Sequence, residues 1–427
     1  MKEDFLHYIW RYQKLNTIQL QSTDKENIEV VMPGQYIQEA GPDFFAAHLV
    51  INGQKWVGNV EVHVKASDWY AHRHEEDANY DNVILHVVWE HDMDVMNKNN
   101  VAIPTLCLAT YVPEEVFAIY QNTFVANRKS GIPCASLITT VPDFKWQNWL
   151  ERLYIERLEQ KSIRIRALLK ETKNNWEAVL FILLMRYFGS TRNGDVFEEV
   201  ASRLDYTIIQ HCRQHQLELE ALLFGQLGML PESNDDMNSY VRGLLKEYQF
   251  LTYKYNLTQP LTTPVQFFKL RPPNFPTIRI AQLVSAYTNP ELSFRNLMEY
   301  SDYKEISALF QVDISDFWKT HYTFSKVSAR RNKNLTPSFV QLIVINVVLP
   351  LRFVYTQYKG NDEFQPLFDI AQHIPPETNT IVTYYNQIGS TCSSALHSQA
   401  LIQLKQNFCD TKSCMRCTVG THILASG

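Results

Sequence analysis

An aspartate in a turn and a charged strand face have the residue types best suited to chemistry in this chain. Asp43 follows a Gly-Pro step, and Glu61, His63 and Lys65 alternate with valines further along. Because successive strand side chains point to opposite faces, these three polar side chains share one face. Two carboxylates can bind Mg²⁺ or Mn²⁺ through oxygen, and a nearby base can activate water. The pattern predicts a catalytic site in which Asp43 and Glu61 hold the cation, while His63 or Lys65 positions or deprotonates water.

Histidines are concentrated near this pattern. Seven of the 13 histidines lie within the first 91 residues. His72 and His74 follow Lys65 closely, and we expect them to contact a substrate phosphate or a second metal, although a surface loop would also accommodate them. His86 lies within an apolar run and is interpreted as a core histidine.

A second group of potential ligands lies in the C-terminal tail. Cys409, Cys414 and Cys417 are close in sequence, and three thiolates at such spacing favour a structural zinc ion or iron–sulfur cluster. The alternative is three reduced cysteines that pack the tail. The fourth ligand is left open among Cys392, His397 and His422.

Two groups of basic residues are candidates for binding a phosphate-containing substrate. Arg271 and Arg279 flank a proline-rich turn, which can hold guanidinium groups in fixed positions for bidentate contacts. The same turn could simply begin a helix. Arg330 and Arg331 belong to the densest basic cluster of the chain and could contact nucleic acid or an acidic partner.

The hydrophobic pattern indicates which elements position these residues. Residues 4–15 have helical spacing, and residues 44–51 and 55–65 flank Asn52-Gly53, a strong hairpin signal. Residues 83–89 are almost all apolar, as in a strand buried on both faces. From Asp143 onward the spacing is mostly helical. The predicted fold class is α+β, with an α/β domain over residues 1–135 and a larger, mostly helical domain over residues 140–427, ending in the cysteine-bearing tail from about residue 385.

Composition and charge limit the possible functions. The 427 residues have a formal net charge of −5, so any contact with nucleic acid must come from a local basic surface. No secretory signal is visible, and residues 340–354 are too interrupted by polar residues to span a bilayer, so we expect a cytoplasmic protein without membrane contact. The absence of P-loop, GxGxxG, HExxH and GxSxG motifs argues against the corresponding enzyme classes.

The arrangement around Asp43 and Glu61 resembles the PD-(D/E)xK nuclease superfamily, in which a helix precedes a strand meander bearing these residues. The resemblance implies a restriction-endonuclease-like fold for the N-terminal domain and a Mg²⁺- or Mn²⁺-dependent site. This chain departs from the superfamily pattern, because His63 occupies the position two residues before Lys65, where the pattern has an acid. Pairing Glu61 with His63 restores the acid but replaces the lysine with histidine. Some nucleases of this superfamily also have a four-cysteine iron–sulfur site with its last cysteines near the C-terminus.

The whole chain also resembles an uncharacterised bacterial family, a domain of unknown function common in Bacteroidetes-type bacteria. That resemblance implies one architecture for both ends of the chain and no particular activity. The segments that resemble the family are residues 40–44, 59–63, 67–69, 80–88, 271–276, 346–350 and 409–420.

The leading hypothesis is therefore a metal-dependent phosphodiesterase that cleaves DNA or RNA. One alternative is a non-catalytic nucleic-acid-binding or scaffold protein on a nuclease-like fold. Another is a hydrolase of a small phosphorylated substrate, which would need no excess of basic over acidic residues.

Overall fold

The computed structural model describes residues 1–37, 40–232, 238–258, 260, 263–361 and 363–426. The chain divides into two compact units. The N-terminal unit comprises Met1–Leu150, Thr380–Thr391 and Leu401–Gly427. The helical unit comprises Glu151–Asn379 and Cys392–Ala400.

A mixed β-sheet forms the centre of the N-terminal unit, with strands in the order β1-β2-β4-β5-β6-β7 and with β3 paired to β4. The pairs β4–β5 and β2–β4 are antiparallel, whereas β5–β6 and β6–β7 are parallel. The long strand β5 therefore lies inside the sheet. The strands are β1 Leu20–Gln21, β2 Asn27–Met32, β3 Gln35–Tyr36, β4 Phe44–Ile51, β5 Gln54–Lys65, β6 Val83–Glu90 and β7 Thr105–Cys107.

The predicted hairpin is present between β4 and β5. Asn52 and Gly53 both have positive φ, at 49° and 82°, as a tight two-residue turn between twisted strands requires. Gly58 lies where β5 meets β6, and a Cβ there would be 2.4 Å from Ile84 Cγ2. Glycine at this position lets the two parallel strands approach closely.

Helices cover the sheet and continue through the tail of the N-terminal unit. The first helix packs against β5 with a buried face that includes Phe5, Ile9 and Trp10. The first three helices are α1 Glu3–Arg11, α2 Asp68–Ala71 and α3 Glu114–Ile119, with a π-helical segment at Tyr120–Val125.

The remaining described elements are almost entirely helical. They are α4 Asp143–Glu171, α5 Trp176–Phe188, α6 Ser190–Arg203, α7 Tyr206–Cys212, α8 Gln216–Gln226, α9 Ser239–Tyr255, α10 Pro276–Tyr287, α11 Phe294–Glu299, α12 Tyr303–Ala308, α13 Asp316–Thr320, α14 Pro337–Ile343, α15 Leu349–Tyr358, α16 Gln365–His373, α17 Thr380–Gln387, α18 Ala395–Leu404 and α19 Thr418–Ala425.

One helical stretch, Pro337–Tyr358, is long and apolar enough to cross a membrane by length and composition alone. Within the protein, 72% of its most apolar window is buried. Burial of this extent is what a core helix of a folded unit shows.

The predicted fold class is confirmed at the level of a mixed α+β protein, 54% helical, with an N-terminal sheet and a larger helical part. The compact units differ from the predicted domain limits at the C-terminal end. Residues 380–391 and 401–427, which were expected to extend the helical domain, belong to the N-terminal unit. The hydrophobic pattern could not show this, because helical periodicity does not specify the unit in which a helix packs.

Candidate metal centre in the N-terminal unit

Strand β5 holds two of the predicted site residues inside the sheet. Glu61 is 5% exposed and His63 is 1% exposed. Strands β4 and β6 pair with the two edges of β5, and helices α1 and α2 pack against it, so that even its polar face is covered. The alternation along the strand thus places an acid and an imidazole in a buried environment, where unpaired polar groups are costly.

Asp43 and Glu61 lie close together. The backbone N–H of Asp43 donates to Glu61 Oε2 over 3.0 Å, and the N–H of Val62 donates to Asp43 Oδ2 over 3.1 Å. This reciprocal pair of hydrogen bonds holds the two carboxyl groups side by side. A β-bulge follows directly in β4, where Ala46 has a φ of 52°, and such bulges often redirect side chains beside functional sites.

Three histidines gather on the other side of Glu61. The ligand nitrogens of His63, His72 and His74, here called the histidine cluster, all lie within 4.8 Å of one another. His63 Nε2 is 3.1 Å from His72 Nδ1. Glu61 Oε1 is 3.5 Å from His63 Nε2 and 3.3 Å from His74 Nε2. Glu61 therefore has one oxygen toward Asp43 and the other toward the histidine cluster.

The end of helix α2 explains how His72 and His74 both reach the site. Backbone N–H groups of Arg73 and His74 donate to the carbonyls of Tyr70 and Trp69 over 3.1 Å each, and Arg73 has a φ of 60°. These bonds form a Schellman motif, which reverses the chain at a helix C-terminus. The Trp69 indole contacts the His74 ring at a centroid distance of 5.3 Å, the side-chain contact that often accompanies this motif.

Aromatic rings fix the orientation of His74. Its ring stacks on Tyr80 at a centroid distance of 3.8 Å and on His63 at 5.2 Å. His74 is 9% exposed, and its Nε2 makes no hydrogen bond of good geometry among the described residues, although Glu61 Oε1 lies 3.3 Å away. A buried nitrogen that is held in place but not fully satisfied suits a ligand position.

Behind His63 lies His86, on the neighbouring strand β6. His63 Nδ1 is 2.8 Å from His86 Nε2, and His86 is fully buried. If His63 Nε2 binds a cation, its Nδ1–H donates to His86, as partners of metal-ligating histidines do. Burial, together with the neighbouring histidines, lowers the pKa of His63 to about 2, so that its imidazole is neutral and has a lone pair available for a metal.

The electrostatics of the carboxyl groups also favour a cation. Burial, together with the nearby Asp43 charge, raises the pKa of the Glu61 carboxyl well above its ordinary value. His7 Nε2 lies 3.1 Å from Asp43 Oδ2. Burial opposes a charge on His7, but the Asp43 carboxylate outweighs it and raises the pKa of His7. His7 thus compensates Asp43, but Glu61 has no such partner, and a divalent ion bound between the two acids would offset their repulsion.

The donor set fits a divalent transition metal. Ligands on one tetrahedral ion with bonds of about 2.1 Å are separated by about 3.4 Å, close to the distances among Glu61 and the histidine cluster. Imidazole ligands suit ions such as Zn²⁺ and Fe²⁺, whereas carboxylates suit Mg²⁺ and Mn²⁺. Of the two predicted ions, Mn²⁺ is a transition-metal ion that accepts imidazole as well as carboxylate, so that it matches this mixed set better than Mg²⁺ does.

Lys65 does not join the other predicted catalytic residues. It lies at the exposed end of β5, where its Nζ is 3.5 Å from Glu90 Oε1. Strand alternation placed it on the correct face, but the side chain lies beyond the sheet and points to solvent.

The predicted substrate-binding arginines lie in the helical unit, and side-chain contacts are present for Arg279 and Arg330. The Arg279 guanidinium lies 3.8 Å from the Phe339 ring centroid and donates to Gln282 and Asn274. Its contacts are those of a packed helix start, which was the alternative interpretation. Arg330 pairs with Asp316 at 3.1 Å, whereas Arg271 and Arg331 are exposed.

The tail cysteines belong to the N-terminal unit, where they lie near Cys134, a cysteine that the sequence analysis did not consider. Burial raises the pKa of the Cys134 thiol, and Cys417, Cys409 and Cys414 lie near enough to raise that pKa further. Cys392 and His397, two of the predicted fourth ligands, belong to the helical unit. The third, His422, has its Nε2 3.1 Å from the Thr140 carbonyl oxygen.

Sequence analysis also missed His7 and the link between His86 and the site. His7 lies on α1, and only the tertiary fold brings it to Asp43. His86 lies on β6, which runs parallel to β5, and the strand register pairs it with Glu61. Because that register could not be read from the sequence, no sequence signal linked His86 to the site.

The fold and the site define an α+β protein with a buried histidine–carboxylate cluster on a mixed sheet. The chain belongs to the family described as "Protein of unknown function (DUF2851)", whose profile matches residues 3–380. The predicted resemblance to an uncharacterised family is thus confirmed. No curated protein and no solved structure matches the chain.

Proposed function

We propose that this protein is a metal-dependent phosphodiesterase that cleaves DNA or RNA. The observation that supports this proposal is the convergence of the Asp43 and Glu61 carboxyl groups beside the histidine cluster. Hydrolysis of a phosphodiester requires positive charge near the phosphate and an activated water, and a divalent cation bound by these residues would supply both.

The order of elements supports a restriction-endonuclease-like fold for the sheet region. Helix α1 precedes the antiparallel strands β2, β4 and β5, and α2 then leads to β6, parallel to β5. Asp43 precedes β4 and Glu61 lies on β5, as the PD-(D/E)xK resemblance implies.

Each side chain of the centre has a distinct role in the proposal. Asp43 and Glu61 bind the cation through oxygen, and Glu61 also faces the histidine cluster. His63 serves as a neutral ligand oriented by His86, rather than as the base, because its Nδ1 already contacts His86 and burial disfavours its protonation. His7 orients the Asp43 carboxylate at the side nearer solvent, where Asp43 is 22% exposed.

A hydrolase of a small phosphorylated substrate is the second candidate. Glu61, His63 and His74 are almost fully buried, which suits a small group better than a bulky duplex. The net charge of −5 also gives no general attraction to polyanions.

The decisive experiment incubates the purified protein with single-stranded, duplex and branched DNA and RNA, and in parallel with a small aryl phosphodiester and a phosphomonoester. Reactions contain Mn²⁺, Mg²⁺, Zn²⁺ or a chelator. We expect cleavage of at least one nucleic acid with Mn²⁺, and none with chelator.

Asp43→Asn is the test variant, and Glu90→Gln is the matched control, since Glu90 is an exposed acid at the end of the adjacent strand. Loss of cleavage in Asp43→Asn, with activity retained in Glu90→Gln, supports the assigned centre. Cleavage that persists in Asp43→Asn rejects it. Turnover of only the small esters favours the second candidate, and nucleic-acid binding without turnover of any substrate favours the scaffold alternative.

A further inference from the structure

The N-terminal unit contains four cysteines that come from distant parts of the chain, here called the cysteine group: Cys134, Cys409, Cys414 and Cys417. Cys134, Cys409 and Cys417 are buried, and Cys414 is half-buried. None of them is in a disulfide. The proposed phosphodiesterase does not use them.

Contacts outside the cysteines hold the Cys134 loop against the tail. Lys412 Nζ donates to the Ser130 carbonyl over 2.7 Å, and the Trp149 and Phe408 rings meet at a centroid distance of 5.2 Å. Pro133 and Cys414 line the same cavity. The loop that contains Cys134 is therefore packed against the tail.

The local backbone resembles a thiolate site. The N–H groups of Val419 and Gly420 donate to the Cys417 sulfur, and Tyr385 Oη is 3.3 Å from Cys409 Sγ. Gly420 comes so near Cys414 that a Cβ there would be 2.0 Å from the Cys414 carbonyl oxygen. Hydrogen bonds to sulfur stabilise a thiolate and are among the features that tune metal–sulfur sites.

We propose that the cysteine group binds a structural iron–sulfur cluster, with Cys134 as the fourth ligand. Four thiolates are the usual ligand set of such a cluster. On a single zinc ion with bonds of about 2.3 Å, the sulfur atoms would be about 3.8 Å apart. Among the described residues, these sulfur atoms form no group of three within 4.8 Å of one another, as the histidine cluster does. A cluster that binds each thiolate through a separate iron accommodates a wider spacing.

This proposal is independent of the proposed function, since the cysteine group and the histidine cluster share no residue. A cluster at this position would join the loop after the sheet to the C-terminal tail. It would thereby stabilise the N-terminal unit by closing a very long loop of chain.

The test is to purify the full chain without oxygen and to measure iron, acid-labile sulfide, zinc and visible absorption. We expect iron and sulfide in similar amounts, with the charge-transfer absorption of a cluster. Cys134→Ser, like Cys414→Ser, should lose most of both. The matched control is Cys107→Ser, because Cys107 is in the same unit and its Sγ donates to the Trp89 carbonyl, a bond that serine can also make.

Full iron and sulfide content in Cys134→Ser would overturn Cys134 as a ligand. Stoichiometric zinc without iron in the wild-type protein, even after reconstitution with ferrous iron and sulfide, would overturn the cluster. If the serine variants do not fold, alkylation of wild-type protein decides the ligand set. All four cysteines should resist the reagent until iron is removed, and early modification of Cys134 alone would contradict the proposal.

Discussion

Three buried glutamates show how differently the two units use a carboxyl group. In the helical unit, Glu198 accepts hydrogen bonds from Arg164 and Arg186, and Glu220 accepts one from Tyr240 Oη over 2.7 Å. In the N-terminal unit, Glu61 faces another acid and two histidines. No lysine or arginine in the described part of the chain forms an ion pair with it.

The difference indicates which buried acid is structural and which is available to a ligand. Arginines pair with Glu198, and neutral hydrogen-bond donors partly offset the burial of Glu220, so that protein contacts account for both side chains. For Glu61, the contacts that the protein makes with the carboxylate do not offset the free-energy cost of burying it. A buried acid without sufficient partners is a reason to infer a missing cation, and this inference rests on charge and contacts rather than on a motif.

The largest expected effect is on activity in Glu61→Gln. The amide keeps the shape but removes the charge that binds the cation, so we expect metal-dependent cleavage to fall by more than about 100-fold, since supporting groups alone contribute about 10–100-fold. Initial rates at saturating Mn²⁺ measure it. Glu198→Gln should leave the rate nearly unchanged, and equal losses in both variants would remove the contrast between the two acids.

The next effect concerns His86, which contacts the site only through His63. His86→Leu removes the acceptor for His63 Nδ1–H and should weaken metal binding by about 10–100-fold. His86→Gln offers a carbonyl oxygen and should restore much of the affinity. Calorimetric titration with Mn²⁺ tests both variants. Equal affinity in His86→Leu and wild type would make His86 a core residue only, as first interpreted.

The pH dependence of stability offers a test within the helical unit. Burial raises the pKa of Glu220 to about 7. Its folded pKa is above the unfolded value, so its contribution is fully present below about pH 4.5 and is lost as the pH rises to about 7. The loss should be about 3 kcal/mol, and Glu220→Gln should remove it. Hydrogen exchange of helical-unit peptides across this range provides the measurement, and an unchanged pH slope in Glu220→Gln would refute the assignment.

A smaller effect, on the free energy of unfolding measured in the presence of a chelator, distinguishes Glu198 from Glu61. Glu198→Gln weakens two charge-assisted hydrogen bonds to partly exposed arginines and should destabilise the helical unit by about 1–2 kcal/mol. Glu61→Gln relieves repulsion with Asp43 and should not destabilise the N-terminal unit. Hydrogen exchange in peptides of each unit reports these changes separately. Destabilisation by Glu61→Gln would mean that its carboxylate has a structural role.

The sequence was sufficient for elements whose signals are local. Asn52-Gly53 predicted the hairpin, and strand alternation predicted that Glu61 and His63 share a face. The Gly-Pro-Asp turn placed Asp43 directly before β4, so its approach to Glu61 followed from the hairpin pairing. These features depend on residues close in sequence or on one antiparallel register.

The sequence was insufficient where the fold joins distant segments. The pairing of His86 with His63 depends on a parallel register, and parallel strands have no connecting turn that fixes it. Cys134 and the tail are separated by the whole helical unit in sequence, so spacing gave no reason to consider them together. Arg279 shows the reverse failure, because a basic residue beside prolines looked available for phosphate but stacks on Phe339.

Lys65 gives the smallest expected effect and the sharpest contrast between sequence and structure. The superfamily pattern makes it a catalytic residue, whereas its side chain is half exposed and lies beside Glu90. Exposed residues outside a site typically change free energies by no more than about 0.5 kcal/mol, so Lys65→Ala should alter the cleavage rate by no more than about twofold. Rates for Lys65→Ala and Lys65→Arg at several Mn²⁺ concentrations provide the test. A loss comparable to that in Glu61→Gln, partly restored by arginine, would show that Lys65 reaches the substrate, and the water-activating role would then return to the lysine.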